Sequence, residues 1–329
     1  MPVDNPRDNP RDNPRAARGA GRVPRGLLAV LLAPLAVGVL AGCGVSSSGD
    51  PAAPGQIAAV GAENEYANVI EQIGGRYVKV SAIESNPNTD PHAYEASPSV
   101  AQTVSQAALI VQNGVGYDTY MEKIESASPS AGRRVIDVQK LLDLPESTPN
   151  PHLWYKPSTM PAVAAALARE LSELQPAHAA YFAANARAFD ASLQPWLKAL
   201  RRFGEHHPNT PVATTEPVAD YMLEAAGVDN LTPFSIQADI MNGTDPAPQD
   251  ASLEQSLFAA HRVKAFVHNQ QVTSSLTESF VNDAKHSGIP VVGVYETMPT
   301  PGYDYQSWMM AELRAIEEAV TQGVSTEKL

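Results

Sequence analysis

The sequence predicts an α/β protein of two lobes, each a parallel sheet flanked by helices, joined by one long spine helix. Three observations lead there. Short apolar runs alternate with helical runs between Gln56 and about Leu174. The same alternation restarts at Pro211. Between them, Ala177 to about Glu205 carries apolar residues at helical spacing, and a helix of about 28 residues would run about 42 Å, longer than one small lobe needs.

Before the first strand come segments of different character. Residues 4–15 read DNPRDNPRDNPR, a polar repeat that cannot bury a core and is expected to be disordered. Arg15, Arg18, Arg22 and Arg25 form a basic region ahead of the apolar run Gly26 to Leu40. That run suits a signal-peptide core and is short for a membrane span, which needs about 20 residues. It ends Leu40-Ala41-Gly42-Cys43, small residues ahead of the only cysteine, and this looks like a bacterial lipobox. Residues 1–42 are therefore expected to be a leader and signal peptide, with Cys43 acylated and anchored in the bilayer. One cysteine excludes an intrachain disulfide. Residues 43–55 contain GVSSSGDPAAPG, a flexible tether by composition.

The first lobe is expected over residues 56–175. Ile57 to Val60 is an apolar strand running into Glu63 and Asn64, and Tyr66, Val69, Ile70 and Ile73 have helical spacing, stopped by Gly74-Gly75. Tyr77 to Ile83 is the next strand. Ser99 to Ala107 is a helix, Ala108 to Val111 a short strand, Tyr117 to Ile124 a helix, and Arg134 to Val138 a strand. This order implies parallel pairing with helices on both faces. Met160 to Leu174 is amphipathic, and the spine helix is placed at 176–207.

The second lobe, 208–329, repeats the pattern. Pro211 to Thr214 runs into Thr215-Glu216-Pro217, and Tyr221 to Ala226 is a short helix closed by Gly227. Leu253 to His261 is a helix, Val263 to Val267 a strand ending in His268-Asn269-Gln270-Gln271, and Leu276 to Ala284 a helix. Ile289 to Val294 is a β-branched strand stopping at Glu296, and a last helix runs from about Gln306 to Val320. Ala238 to Gln249 is mostly polar and interrupted by Pro and Gly, and is expected to be a surface loop.

Candidate ligands fall at strand ends, where open α/β sheets bind. Asn88-Thr89-Asp90-Pro91-His92 follows the second strand, and Pro91 stiffens the loop that carries His92. Most histidines are surface or satisfied core residues. A second construction of the same kind, Asn150-Pro151-His152, makes the pattern informative, because of eight histidines only these two follow a proline. Glu216 and Glu296 occupy matching strand ends in the second lobe. Carboxylates there are commonly just solvated, so each is a candidate only. The formal net charge of −13 argues against nucleic acid and anionic partners.

Taken together, the lipobox, DPHAYE, QNGVGYDTYMEKI, NPHLWY, TTEPVADYMLEAAGV and ETMP followed by YQSWM resemble the metal-binding lipoproteins of bacterial zinc and manganese ABC importers, from about Gln56 to Val320. The resemblance implies two α/β lobes on one spine helix with a metal in the cleft. It places the metal on His92, His152, Glu216 and Glu296. The third ligand is histidine or glutamate across the family, and here it is Glu216. The fourth is usually aspartate, and Glu296 departs from that. The His/Asp-rich loop of many zinc members is missing, since NPNTDPHAY passes straight from strand to ligand. The partners implied are a membrane permease and its ATPase, with the binding protein a monomer held at the extracytoplasmic face of the membrane.

Two imidazoles and two carboxylates suit Zn²⁺ or Mn²⁺ and are poor for Cu(I), which prefers sulfur. Zinc is favoured, because NPHLWY and ETMP look closer to zinc-type members. Hydrogen-bond acceptors behind the ligands should orient the imidazoles, with Asn269, Glu63 and Asn64 as candidates. Two other classes use similar ingredients. A secreted zinc hydrolase needs three protein ligands, a water and a general base, and no HExxH occurs in the chain. An adhesin or storage lipoprotein could use the same scaffold.

Overall fold

A computed structural model describes residues 52–329. Cys43 and the leader lie outside them.

Among the described residues, eight strands and eleven α-helices follow in order. In the first lobe β1 (Ile57–Glu63) leads into α1 (Asn64–Gly74), then β2 (Val78–Glu84), α2 (Pro98–Gln106), β3 (Leu109–Gln112), α3 (Thr119–Ala127), β4 (Arg134–Asp137) and the single turn α4 (Val138–Leu141). Then come α5 (Thr159–Leu174) and α6 (Ala179–His206). The second lobe has β5 (Thr210–Thr214), α7 (Asp220–Ala225), β6 (Val228–Asn230), α8 (Phe234–Met241), α9 (Pro248–Ala259), β7 (Ala265–Asn269), α10 (Ser275–His286), β8 (Val291–Val294) and α11 (Tyr305–Gln322).

Both sheets are parallel and share one topology, β2-β1-β3-β4 and β6-β5-β7-β8. In each, the chain leaves the first strand to one side and returns on the other. Loops therefore diverge at the carboxyl ends of β1 and β3, and of β5 and β7, and the crevice between them is where such sheets bind. Gly61 brings β1 close to α1, because a Cβ there would run into the backbone of Ala67.

Helix α6 is the predicted spine. Its buried residues Phe182, Ala186, Phe189, Leu193, Trp196, Leu200 and Phe203 alternate steps of four and three, which draws one apolar stripe along the helix. The stripe packs on α1, α5, α7 and α11, elements from both lobes. Fully burying each large side chain contributes about 1.5–3 kcal/mol relative to exposure. One apolar cluster runs through both lobes by way of Tyr66, Trp154, Tyr155, Trp196, Tyr305 and Trp308. The sheets are fused through this core as well as by the spine.

Several elements differ from the sequence reading. Residues 238–249 are not all loop, since α8 continues to Met241 and α9 begins at Pro248. Ile236, Gln237 and Ile240 turn inward, and the Gln237 amide donates to Thr214 Oγ1 and Asp220 Oδ2, both at 2.8 Å, so a polar residue there is buried. Strand β6 has one apolar residue in three, too few to show a pattern. Helix α3 starts at Thr119 because Asp118 instead accepts the backbone N–H groups of Asn113 and Gly114, at 2.6 and 2.9 Å, closing the preceding loop.

Candidate metal centre

Glu216 and Glu296 sit just beyond strand ends, while His92 and His152 sit on longer connections that follow theirs. His92 follows β2 on a single turn, Pro91–Ala93, whose start is capped by Asp90 Oδ1 accepting the His92 backbone N–H at 2.8 Å. His152 lies beyond β4, ahead of the turn Leu153–Tyr155. Glu216 follows β5 and Glu296 follows β8.

His92, His152 and Glu296 converge. Glu296 Oε2 is 3.2 Å from His92 Nε2 and 3.1 Å from His152 Nε2. One ligand atom from each residue lies within 4.8 Å of the others, and among the described residues this is the group that could hold a metal ion. Tetrahedral zinc with bonds of about 2.0–2.1 Å has ligand–ligand edges of about 3.3 Å, so both N···O separations are already close to those of a coordination shell.

The protonation pattern leaves two acceptor atoms facing each other. Asn150 Nδ2 donates to the Pro217 carbonyl at 2.7 Å, which assigns its Oδ1 as acceptor. That oxygen accepts the His152 backbone N–H at 3.0 Å and meets His152 Nδ1 at 2.8 Å. Nδ1 therefore carries the proton and Nε2 presents a lone pair. Burial, with the His92 charge adding to it, keeps His152 neutral against the pull of Glu296. A lone pair thus faces an anionic oxygen across 3.1 Å, an arrangement that a positive charge between them resolves.

Glu296 is held as an anion. Its burial would raise the carboxyl, but the hydrogen bond and charge of His92 hold it ionised, well below the usual range. Tyr117 Oη donates to Oε2 at 2.9 Å, and Asn269 Nδ2 to Oε1 at 2.7 Å. Burial also works against charge on His92, yet Glu296 overrides it and the ring is pushed up to about 9. His92 is the solvent side of the site, with its side chain 24 % exposed against 0 % for His152 and Glu296.

Glu216 stands one contact back. Asn269 Nδ2 donates to its Oε2 at 3.1 Å as well as to Glu296, while the buried Oε1 has no hydrogen-bond partner among the described residues. Burial, with the Glu296 charge adding to it, pushes its carboxyl well up.

Of the residues expected to orient imidazoles, none meets a ring among the described hydrogen bonds. Asn269 bridges the two carboxylates instead. Asn64 ties the lobes together, its Nδ2 donating to the Met298 carbonyl at 2.8 Å and its Oδ1 accepting the Met298 N–H at 3.0 Å. Glu63 is buried with both oxygens unpartnered, and burial with nearby Asp118, Glu65 and Glu84 keeps its carboxyl well above the usual value. Asn150 and Tyr117 do what sequence reasoning missed. Asn150 was in view as the residue before Pro-His, and an amide two residues before a ligand is the signal that could have found it.

Two parallel-sheet lobes on one helix, with imidazoles from one lobe meeting a carboxylate from the other, define a cleft-type binding protein. Comparison with known proteins gives the family. The model described as ZnuA, zinc-uptake complex component A periplasmic, matches residues 60–319, and the chain belongs to this family. It is 26 % identical over 277 residues to the manganese-binding lipoprotein MntA of Bacillus subtilis (strain 168), covering 80 % of this chain and 86 % of that protein. It is 23 % identical over 308 residues to the metal ABC transporter substrate-binding lipoprotein ScbA of Streptococcus cristatus, covering 86 % and 95 %. The structure of the periplasmic zinc-binding protein TroA from Treponema pallidum superposes with a TM-score of 0.69 at 18 % identity, covering 82 % of this chain and all of that one, a likeness of fold.

Proposed function

We propose that the chain is the metal-binding component of an ABC importer, and that it captures a divalent transition metal, zinc foremost and manganese second, as cargo. The observation that carries this is the pair of imidazole nitrogens, from two loops of the first lobe, meeting one anionic oxygen of the second at 3.1 and 3.2 Å. Family membership supports it. His92, His152 and Glu296 are the ligands in this reading, and Glu216 joins them when its unpartnered oxygen turns to the cation. A nitrogen and oxygen donor set suits zinc and manganese, whereas Cu(I) prefers sulfur.

Capture and hand-over need no bond chemistry. A cation at the three donors joins the lobes, and its loss frees the His92 loop more readily than it swings the lobes, because the core is shared. Acylated Cys43 and the 43–55 tether would hold the loaded protein near a permease and its ATPase and raise its local concentration there. Nothing in the site favours the hydrolase or adhesin readings.

Competition titration of the full chain with zinc and with manganese tests the assignment. His92→Ala and His152→Ala should each lower zinc affinity by roughly tenfold or more, by analogy with lost ligand shells. Binding that survives both substitutions unchanged would end it.

A further inference from the structure

The side chain of Gln271, two residues past β7, touches both halves of the site. Its Oε1 accepts the backbone N–H groups of Glu296 at 2.7 Å and Thr297 at 2.8 Å. Its Nε2 donates to Thr297 Oγ1 at 3.0 Å and, across the cleft, to the Thr89 carbonyl at 2.8 Å. The residue itself is braced by its backbone N–H donating to Asn269 Oδ1 at 3.0 Å. Every donor and acceptor of this 6 % exposed amide is therefore used.

Thr89 lies three residues before His92, and what separates them is stiff. Pro91 fixes its own φ and restricts Asp90, and Asp90 caps the turn that holds His92. A hold on the Thr89 carbonyl is thus transmitted to His92. His92 is also the one exposed wall of the metal centre, so a cation enters and leaves past it. Beside the Gln271–Thr89 bond lies a cavity of 330 Å³ lined by Asp90, Gln271, Ser274 and the Gly243–Pro246 connection. It gives water a route to compete for the bond and the loop room to move.

We propose that Gln271 is the latch of the metal centre. One amide sets the backbone of Glu296 and at the same time holds the His92 loop shut, so cation release requires the Thr89 bond to open. Gln271 is a positioning residue, and the proposal rests on the cation-binding reading above.

The test uses the full chain in detergent, comparing wild type with Gln271→Leu and Gln271→Glu. Zinc dissociation into excess chelator is followed by stopped flow, and amide hydrogen exchange is read with and without zinc. Gln271→Leu should release zinc at least about tenfold faster, since the Thr89 bond alone accounts for about that factor and the leucine removes the amide's other hydrogen bonds as well, with faster exchange at both 85–92 and 296–297. Gln271→Glu still accepts the two backbone N–H groups but repels the Thr89 carbonyl. It should release zinc faster and loosen 85–92 while leaving 296–297 protected, and it decides the matter should the leucine variant fail to fold. Unchanged dissociation and unchanged exchange at 85–92 would overturn the latch. So would loosening spread over β7, which is the mark of a general packing role. The exchange comparison in the cation-free protein needs no metal. A wild type that binds no zinc would therefore fail the functional reading while the loop contact is still judged.

Discussion

Asn150 Oδ1 accepts the Nδ1 proton of His152 at 2.8 Å, and the same side chain donates across the cleft to Pro217 at 2.7 Å. One amide thus fixes the tautomer of a candidate ligand and joins the lobe that carries it to the lobe that carries Glu216. Asn150→Ala should lower zinc affinity about 10- to 100-fold, the usual cost of losing an outer-shell partner. Competition titration checks it, and an affinity equal to wild type would show that His152 needs no such partner.

The two carboxylates should not be equivalent. Glu296→Gln removes the anion that both imidazoles contact, and zinc affinity should fall by more than tenfold, since the negative charge that would meet the cation is lost outright. Glu216 reaches the centre through Asn269, so Glu216→Gln should cost less. Isothermal titration of the two variants side by side decides the order, and a reversed order would put Glu216 at the centre.

Binding should keep strengthening with pH beyond neutrality. Burial disfavours charge on His92, but Glu296 holds the ring protonated up to about 9, and a cation must displace that proton. The logarithm of the zinc affinity should rise by about one unit per pH unit between roughly pH 7 and 9, then flatten. The cation-free fold should behave oppositely. A histidine whose folded pKa is raised contributes its full stability below about 6.5, and loses it as pH rises through about 9. Titrations in buffers of different ionisation heat count the released protons, and a count of zero at pH 7.5 would contradict the His92 assignment.

Away from the metal centre, Glu312 is fully buried and pushed up to about 8, chiefly by desolvation. Tyr155 Oη has one proton, and its 2.6 Å contact with the Tyr295 carbonyl uses it. The 2.6 Å contact with Glu312 Oε2 is then satisfied by a protonated carboxyl donating to Tyr155. A raised carboxyl contributes most below about pH 4.5 and loses that contribution as pH climbs to about 8. Glu312→Gln keeps a donor toward Tyr155, so its stability near pH 5 should lie within about 1 kcal/mol of wild type. Its decline between pH 5 and 8 should be shallower by up to about one proton's worth. Denaturant unfolding at several pH values reads this, and an unchanged slope would mean that Glu312 is ionised in the fold.

What was legible in the sequence was local. Pro91 and Pro151 announced two stiff loops with histidines on them, and the strand ends announced Glu216 and Glu296. The spine was plain because its apolar stripe keeps a helical spacing from Phe182 to Phe203. What was hidden depends on contacts made far along the chain. Tyr117 reaches Glu296 across 179 residues, and Gln271 reaches Thr89 across 182. No local period marks such residues, and a lone Tyr or Gln reads as surface. The weight of the two carboxylates was equally hidden, because it rests on how β7 sets Asn269 between them. Helix α8 was partly obscured because buried Gln237 interrupts its apolar pattern with a polar letter.

The central claim is that one cation sits among His92, His152 and Glu296. An anomalous difference map at the zinc edge from a zinc-loaded crystal addresses it directly. The account predicts a single strong peak about 2.0–2.2 Å from Nε2 of each histidine and from Oε2 of Glu296. A peak bonded elsewhere, with the two rings turned away from it, would contradict the account.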